Sequence, residues 1–469
     1  MDNRQCDILV LGSGEAGKYL AWTLAKAGQH AVVIERELVG GACPNVACLP
    51  SKNVIHAGHV AALARRGAEF GVHTDDIRID MTAVRERKRR MVADLVEVHR
   101  RNYQASGAEL VMGEGRFVAP RTIELRVREG GARRYTAERV FLNLGTRAAL
   151  PPVEGLSEAQ PLTHVEALEL GIVPEHLLVL GGGYVGLEFA QPMRRFGARV
   201  TVLEQGPQIA GREDPEVAQG LLERLQAEGI CFRMGGQVGR VEGRSGERVR
   251  LHVAGGDGPA VVEGSHLLVA AGRTPNTGGI GLEDAGIELD ERGFVKVNER
   301  LETTAAGVWA MGDCAGSPQF THVSYDDFRI VRDNLQGGDR STRGRLVPYC
   351  MFTDPELGRV GLNESQARQA GLRYRVARLP MTAVLRTRTV SEPHGFLKAL
   401  VAADSDQLLG FTALGYGAGE LIAVVQVAMQ AGLPYTALRD SVLTHPTMAE
   451  GLTVLFAEPP VAADPQSRQ

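Results

Sequence analysis

The feature that most constrains this chain is a glycine pattern that occurs twice. Residues 7–36 read "DILVLGSGEAGKYLAWTLAKAGQHAVVIER" and residues 176–205 read "HLLVLGGGYVGLEFAQPMRRFGARVTVLEQ". Each reads as strand, glycine turn, helix, strand. The copies register without a gap: Gly12, Gly14, Gly17, Gly28 and Glu35 each lie 169 positions before Gly181, Gly183, Gly186, Gly197 and Glu204. A lone G-x-G-x-x-G is weak evidence, because glycine turns are common. Two copies, each after an apolar strand, each opening a helix and each followed by an acid at the end of the next strand, form the dinucleotide-binding fingerprint twice.

Each part of the pattern has a physical task. The first glycine permits the tight turn, the second admits a pyrophosphate close to the backbone, and the third lets helix and strand pack closely. The helix N-terminus offers amide hydrogens and a positive dipole end to the phosphates. Glu35 and Glu204 are placed to accept from ribose hydroxyls. Two fingerprints imply two dinucleotides, one NAD(P)H and the other a tightly held flavin, because hydride chemistry needs donor and acceptor in one site. A carboxylate at Glu204 suits the 2′-hydroxyl of NADH and repels the 2′-phosphate of NADPH, although Arg212 is near enough in sequence to reach a phosphate. NADH is the favoured nucleotide. Further on, "HLLVAAGRTPN" (266–276) and "GVWAMGDCAG" (307–316) read as apolar strands ending in turns at Gly272 and Gly312, and Asp313 follows where a carboxylate can bind a flavin hydroxyl.

Composition sets the class. At 469 residues and 44% hydrophobic, the chain has material for about three domains. Its 52 Lys+Arg against 56 Asp+Glu leave a net charge of −4, which argues against nucleic-acid binding or a polybasic membrane anchor. No apolar run approaches the ~20 residues of a membrane span and no secretory leader is visible, so the expectation is a soluble cytoplasmic protein. Six cysteines make no disulfide scaffold.

Two of those six stand close together in "GGACPNVACLPSK" (40–52), as Cys43 and Cys48, shortly after Glu35 closes the first ribose site. From 46 to 64 the sequence can continue as a helix, interrupted early by Pro50. A cysteine near a helix start gains thiolate character. A structural pair, a metal site and unrelated buried thiols are the other readings; the absence of a second Cys/His pair at zinc-like spacing counts against metal. Beside two dinucleotide sites, redox activity becomes the leading reading. Lys52 is either an ordinary surface lysine or a cation beside the flavin, with Glu188 on the second fingerprint helix as the group that would hold it.

Taken together, these motifs resemble the pyridine nucleotide-disulfide oxidoreductases that include glutathione reductase, dihydrolipoamide dehydrogenase and mercuric reductase. The resemblance covers nearly the whole chain in the expected order. "GGACPNVACLPSK" is similar to the redox-active disulfide segment, "MGDCAG" to the second flavin motif and "HPTMAE" (445–450) to the C-terminal acid–base motif. It implies that NAD(P)H reduces FAD, that reduced FAD opens a Cys43–Cys48 disulfide, that Cys48 faces the flavin and that Cys43 exchanges with a small-molecule or protein-bound disulfide or dithiol. It also implies that His445, oriented by Glu450, serves as acid and base across the interface of a homodimer.

The implied fold class is α/β, with two Rossmann-like dinucleotide-binding domains and an α+β C-terminal dimerisation domain. Residues 1–150 would bind FAD, continued in a central segment 273–342; 151–272 would bind NAD(P); 343–469 would form the interface domain. The apolar run 419–433 suits either an interface helix or a core helix. Contacts to the flavin expected of this family are Gly12, Gly14, Gly17, Glu35, Lys52, Gly145, Gly312 and Asp313; those to the nicotinamide nucleotide are Gly181, Gly183, Gly186, Glu204 and Gly272.

Several positions depart from the family pattern. Ala42 and Ala47 replace threonine and glycine in the cysteine segment, which predicts an intact disulfide with local backbone shifts. "FLNLGTR" (141–147) departs from the usual alanine–threonine–glycine turn, leaving the fine flavin contacts open. The tail lacks the C-terminal cysteine pair of mercuric reductases, and Leu443 stands where dihydrolipoamide dehydrogenases carry a second histidine. Arg386 and Arg388 are candidate anchors for substrate carboxylates, or solvated arginines. Beside the disulfide oxidoreductase, two alternatives stand: a metal, quinone or dioxygen reductase working mainly from the flavin, and a redox-inactive flavoprotein binding subunit.

Overall fold

The first fingerprint strand, Asp2–Leu11, lies between two parallel neighbours, so that Leu9 pairs with Val32 on one side and Val140 on the other. Ile8, Leu9 and Val10 are fully buried. A parallel strand covered on both faces has to read as a continuous apolar run, which is what this segment supplies. The computed structural model, which describes residues 2–256 and 258–462, extends this sheet outward in both directions. Glu109–Ala119 joins beyond Ala31–Glu35, and Val308–Ala310 joins beyond Ala132–Leu142, in parallel register. Thr122–Val127 closes an antiparallel meander between the two long outer strands.

The second fingerprint builds a smaller parallel sheet in the order His266–Val269, His176–Leu180, Arg199–Glu204, Cys231–Met234. A three-stranded antiparallel meander (Gly236–Arg244, Arg248–Gly255, Ala260–Gly264) sits between its last two strands in sequence. Thr146–Ala148 and Arg273–Pro275 form an antiparallel ribbon where the chain leaves and re-enters the first sheet's neighbourhood. The helix Thr321–Leu335 packs on the first fingerprint helix Glu15–Lys26, with Tyr19 stacked on Phe328 at 5.9 Å.

The C-terminal region is one six-stranded antiparallel sheet in the order Tyr349–Met351, Glu356–Gly361, Leu408–Gly415, Phe396–Ala402, Tyr374–Pro380, Val461–Ala462. The apolar run at 419–433 forms the helix Ala418–Gln430. Leu421, Ile422, Val425 and Ala428 face the core of this region, whereas Val427 on the opposite face is 64% exposed. Among the described residues, no helix is long and apolar enough to cross a membrane.

One local expectation changes. The helix after the cysteines runs Cys48–Arg65, and Pro50 does not interrupt it. Proline is harmless there because the first-turn N–H groups have no partner inside the helix. A separate single turn, Ala42–Asn45, carries Cys43, and Ala47 bridges the two at φ −129° and ψ −100°, a negative φ that needs no glycine.

Candidate active site

The two glycine turns open on a single cavity of about 2870 Å³ that Cys43 and Cys48 also line. At the first turn Gly12 has φ +93°, and a Cβ there would lie 2.3 Å from the Asn143 carbonyl oxygen. A Cβ on Gly17 would lie 2.4 Å from the Gly12 oxygen, so the third glycine is required by close packing of helix on strand. Gly14 caps the helix and faces the cavity. Glu35 is buried and accepts from Ser13 N and Oγ at 2.8 and 2.7 Å and from the amides of Glu37 and Leu38 at 2.7 and 3.0 Å.

The unusual turn "FLNLGTR" provides a brace. Asn143 is buried; its Oδ1 accepts from Gly17 N at 3.0 Å and its Nδ2 donates to the Met311 oxygen at 2.9 Å. One amide side chain thereby ties the first fingerprint to the turn that carries Gly312 and Asp313. Asp313 accepts from Thr146 Oγ1 at 2.6 Å, and Thr146 accepts from Arg273 Nε at 2.7 Å. Gly312 N donates to Asp327 at 2.7 Å; Arg345 donates to the same fully buried carboxyl at 2.6 Å, while burial pushes that carboxyl up. Gly145, at φ +66°, has open space where a Cβ would stand and lines the cavity.

The second turn repeats the construction. Gly181 has φ +113° with the Ala270 oxygen 2.5 Å from a would-be Cβ, and Gly186 would meet the Gly181 oxygen at 2.0 Å. Gly183 and Gly272 line the cavity without such crowding. Glu204 accepts from the amides of Gly182 and Gly206, each at 2.7 Å, and Arg212 lines the cavity.

Between the turns lie the thiols. Cys48 is the first residue of its helix, and its Sγ is 3.2 Å from Thr321 Oγ1. Its thiol is lowered to about 6, first by a hydrogen bond from Cys43, then by Thr321 and the charge of Lys52, against the opposing effect of burial. Cys43 is pushed strongly up by the same hydrogen bond and by burial. The pair is asymmetric: its surroundings lower Cys48 and raise Cys43. Lys52 Nζ donates to Glu188 Oε2 at 2.7 Å and lies 4.8 Å from the centre of the Phe352 ring. Glu188 is buried, and its other oxygen accepts from Phe352 N at 2.9 Å.

His445 Nδ1 lies 2.9 and 3.0 Å from the two carboxylate oxygens of Glu450. The histidine side chain is 61% exposed and lies outside the cavity that its own chain forms around Cys43. Arg386 and Arg388 do not line that cavity either; Arg388 lines a separate one. Sequence reasoning missed Thr321, Asn143 and Asp327. The anomaly in "FLNLGTR" pointed at Asn143, but no local motif marks Thr321, which reaches Cys48 across 273 residues. It also missed Cys350, a third thiol on the cavity wall, pushed up by burial and by the nearby charges of Glu356 and Glu188.

Comparison with known proteins agrees with this architecture. Residues 6–327 match the family model described as pyridine nucleotide-disulphide oxidoreductase, and residues 347–455 match its dimerisation domain. The chain is similar to a probable pyridine nucleotide-disulfide oxidoreductase, RclA, of Escherichia coli strain K12, at 37% identity over 96% of this chain and 98% of the relative. It is 34% identical to a mercuric reductase of Streptomyces lividans (95% and 94% covered) and 34% identical to a dihydrolipoyl dehydrogenase of Thermus scotoductus (95% of each). Among solved structures, a Cu(II) complex of the HOCl-induced flavoprotein disulfide reductase RclA from Escherichia coli superposes with a TM-score of 0.89 at 35% identity, covering 97% of this chain and 99% of that one.

Proposed function

As a member of the pyridine nucleotide-disulphide oxidoreductase family, this chain is an FAD-dependent disulfide oxidoreductase that uses a pyridine nucleotide, and we propose that Cys43 and Cys48 form its redox couple. The observation that carries the proposal is the placing of both thiols on one cavity shared by the two glycine turns, with Thr321 Oγ1 3.2 Å from Cys48 Sγ and the Lys52–Glu188 pair beside them.

FAD fits the first turn, where Gly12, Gly14 and Gly17 keep the backbone free of side chains, and where Glu35, Lys52, Gly145, Gly312 and Asp313 would complete its contacts. When bound there it supplies two-electron transfer between nicotinamide and thiols. The nicotinamide nucleotide belongs to Gly181, Gly183, Gly186, Glu204 and Gly272. NADH is favoured because Glu204 presents a carboxylate where NADPH would carry its 2′-phosphate. Residues 1–150 with 273–342 are assigned to FAD, 151–272 to NAD(P), and 343–469 to the interface of a homodimer.

The chain's own residues divide the work. Cys48, charged near neutral pH, is the thiolate on the flavin side, and Lys52 offsets negative charge there while Glu188 fixes the lysine. Cys43 attacks the external disulfide, which requires loss of its proton because the thiolate is the nucleophile. His445 takes that proton and returns it to the departing thiol, with Glu450 holding the ring. Because His445 lies outside its own chain's thiol cavity, it serves the thiols of a second copy. The substrate is a small-molecule or protein-bound disulfide or dithiol.

Anaerobic titration of the purified flavoprotein with NADH, and separately NADPH, tests this reading. A long-wavelength thiolate-to-flavin absorption band that disappears in Cys48→Ser is the expected result; simple bleaching in both proteins would overturn the assignment of the couple. A second reading, electron transfer to a soft metal ion held by the same thiols, is favoured by the mercuric reductases among the relatives and by the Cu(II) complex of the related structure. His445→Gln separates the two, since metal reduction does not need the acid–base pair.

A further inference from the structure

Arg388, a sequence candidate for anchoring substrate carboxylates, faces a second cavity of about 910 Å³ remote from the thiols. Three helices end at it: Cys48–Arg65, Tyr184–Phe196 and Pro215–Ala227, and each brings arginine in its last turn. Six guanidinium groups (Arg65, Arg66, Arg194, Arg195, Arg224 and Arg388) line the cavity against four carboxylates.

The carboxylates are already committed. Arg66 pairs with Glu69 and Glu392, and Arg195 pairs with Glu228 and Asp354. The other four arginines get no carboxylate from the wall. Arg65 donates to the Arg195 oxygen, Arg194 to the oxygens of Glu228 and Ala198, and Arg388 to the Thr382 oxygen. Complementing the negative end of a helix is an ordinary task for basic last turns, and it accounts for arginines that donate to terminal carbonyls. It does not account for Arg224, whose Nε is shielded from solvent and has no partner among the described residues. Arg224 also lines the cavity, and a bidentate oxyanion is the partner that a planar guanidinium fork fits.

We infer that this second cavity is a binding site for a small multiply charged oxyanion of the phosphoryl class, held chiefly by Arg224 and Arg388 with Arg194 and Arg65 around it. Burial and the charge of Arg224 push the His394 imidazole down, so it stands neutral on the wall, able to donate without adding charge. The site is joined to the redox centre through short covalent and hydrogen-bonded steps. Asp354, which pairs with Arg195, exchanges backbone hydrogen bonds of 2.8 and 2.7 Å with the Gln191 side chain, one turn along the helix from Glu188. Phe352, two residues before Asp354, donates to Glu188 itself.

The test is titration calorimetry of the FAD-loaded protein with inorganic pyrophosphate at constant ionic strength, repeated under saturating NAD⁺ to block the nucleotide turn. The expected result is saturable binding of one pyrophosphate per chain that persists with NAD⁺. It weakens at least ~10-fold in R224Q/R388Q, as the loss of charge-assisted hydrogen bonds requires. It tightens in E69Q, a surface change that removes one negative charge from the wall and leaves Arg66 with Glu392 as its one carboxylate partner. Absence of saturable binding, displacement by NAD⁺, or equal affinity in R224Q/R388Q would each overturn the inference. None of these outcomes depends on which disulfide the enzyme reduces.

Discussion

Replacing Thr321 by valine tests whether the thiolate character of Cys48 is built by tertiary contacts. The change removes one hydroxyl at nearly constant volume from an atom 3.2 Å from Cys48 Sγ. A hydrogen bond to a charged group contributes about 1.5–3 kcal/mol, which is about 1–2 pKa units. The Cys43 hydrogen bond is the larger influence and stays in place, so the lower end of that range applies. Starting from a thiol at about 6, roughly 90% of Cys48 is thiolate at pH 7, and Thr321→Val brings this to roughly 50%. The assay is the pH dependence of iodoacetamide labelling of the reduced protein, read peptide by peptide to isolate Cys48. Cys6 and Cys314, raised to about 12 by burial, stay silent over this range. A second readout follows from linkage. A thiol lowered in the folded state adds stability that is complete above the unfolded thiol pKa and is lost as pH falls through about 6, so the reduced protein gains stability from pH 6 towards 9. Thr321→Val flattens that slope. An unchanged labelling midpoint in the variant would refute the argument.

Two other perturbations have clear expectations. Lys398 is 1% exposed and pairs with Asp214 and Glu364 at 2.8 and 3.0 Å and with Glu216 at 2.5 Å, linking the C-terminal sheet to the second dinucleotide region. Lys398→Met leaves buried Asp214 and the partly exposed Glu216 and Glu364 without their cation, so denaturant unfolding should show a loss of about 3 kcal/mol, and a loss below ~1 kcal/mol would count against the ion cluster as a structural tie. His445→Gln should lower steady-state disulfide turnover by ~10²-fold or more while the rate of flavin reduction by the nicotinamide nucleotide in stopped-flow stays within about twofold, since only the thiol exchange needs the imidazole.

Much of the site was legible because its signals are local. The spacing of Gly12, Gly14 and Gly17 and its copy at Gly181, Gly183 and Gly186 encode a turn, and the contacts that demand glycine, such as Gly17 against the Gly12 oxygen, lie within a few residues. Lys52 and Glu188 were legible through motif position, and the fold brings them to 2.7 Å across 136 residues. Pro50 misled because a helix start tolerates what a helix interior does not, and the start lay two residues later than the expected one. The sequence leaves Arg388 open between a substrate anchor and a solvated arginine, and packing of its short helix puts it on another cavity.

By itself the sequence determined two glycine turns, a close cysteine pair and a histidine–glutamate motif, because steric limits and hydrogen bonding within about thirty residues decide turn geometry. Only the tertiary structure decided which cysteine bears the charge. That outcome rests on the hydrogen bond between the two cysteines, on Thr321 arriving from a segment 273 residues away, on Lys52 one turn along the same helix and on how deeply each sulfur is buried; of these, the Thr321 contact and the burial are set by neighbours in space rather than in sequence.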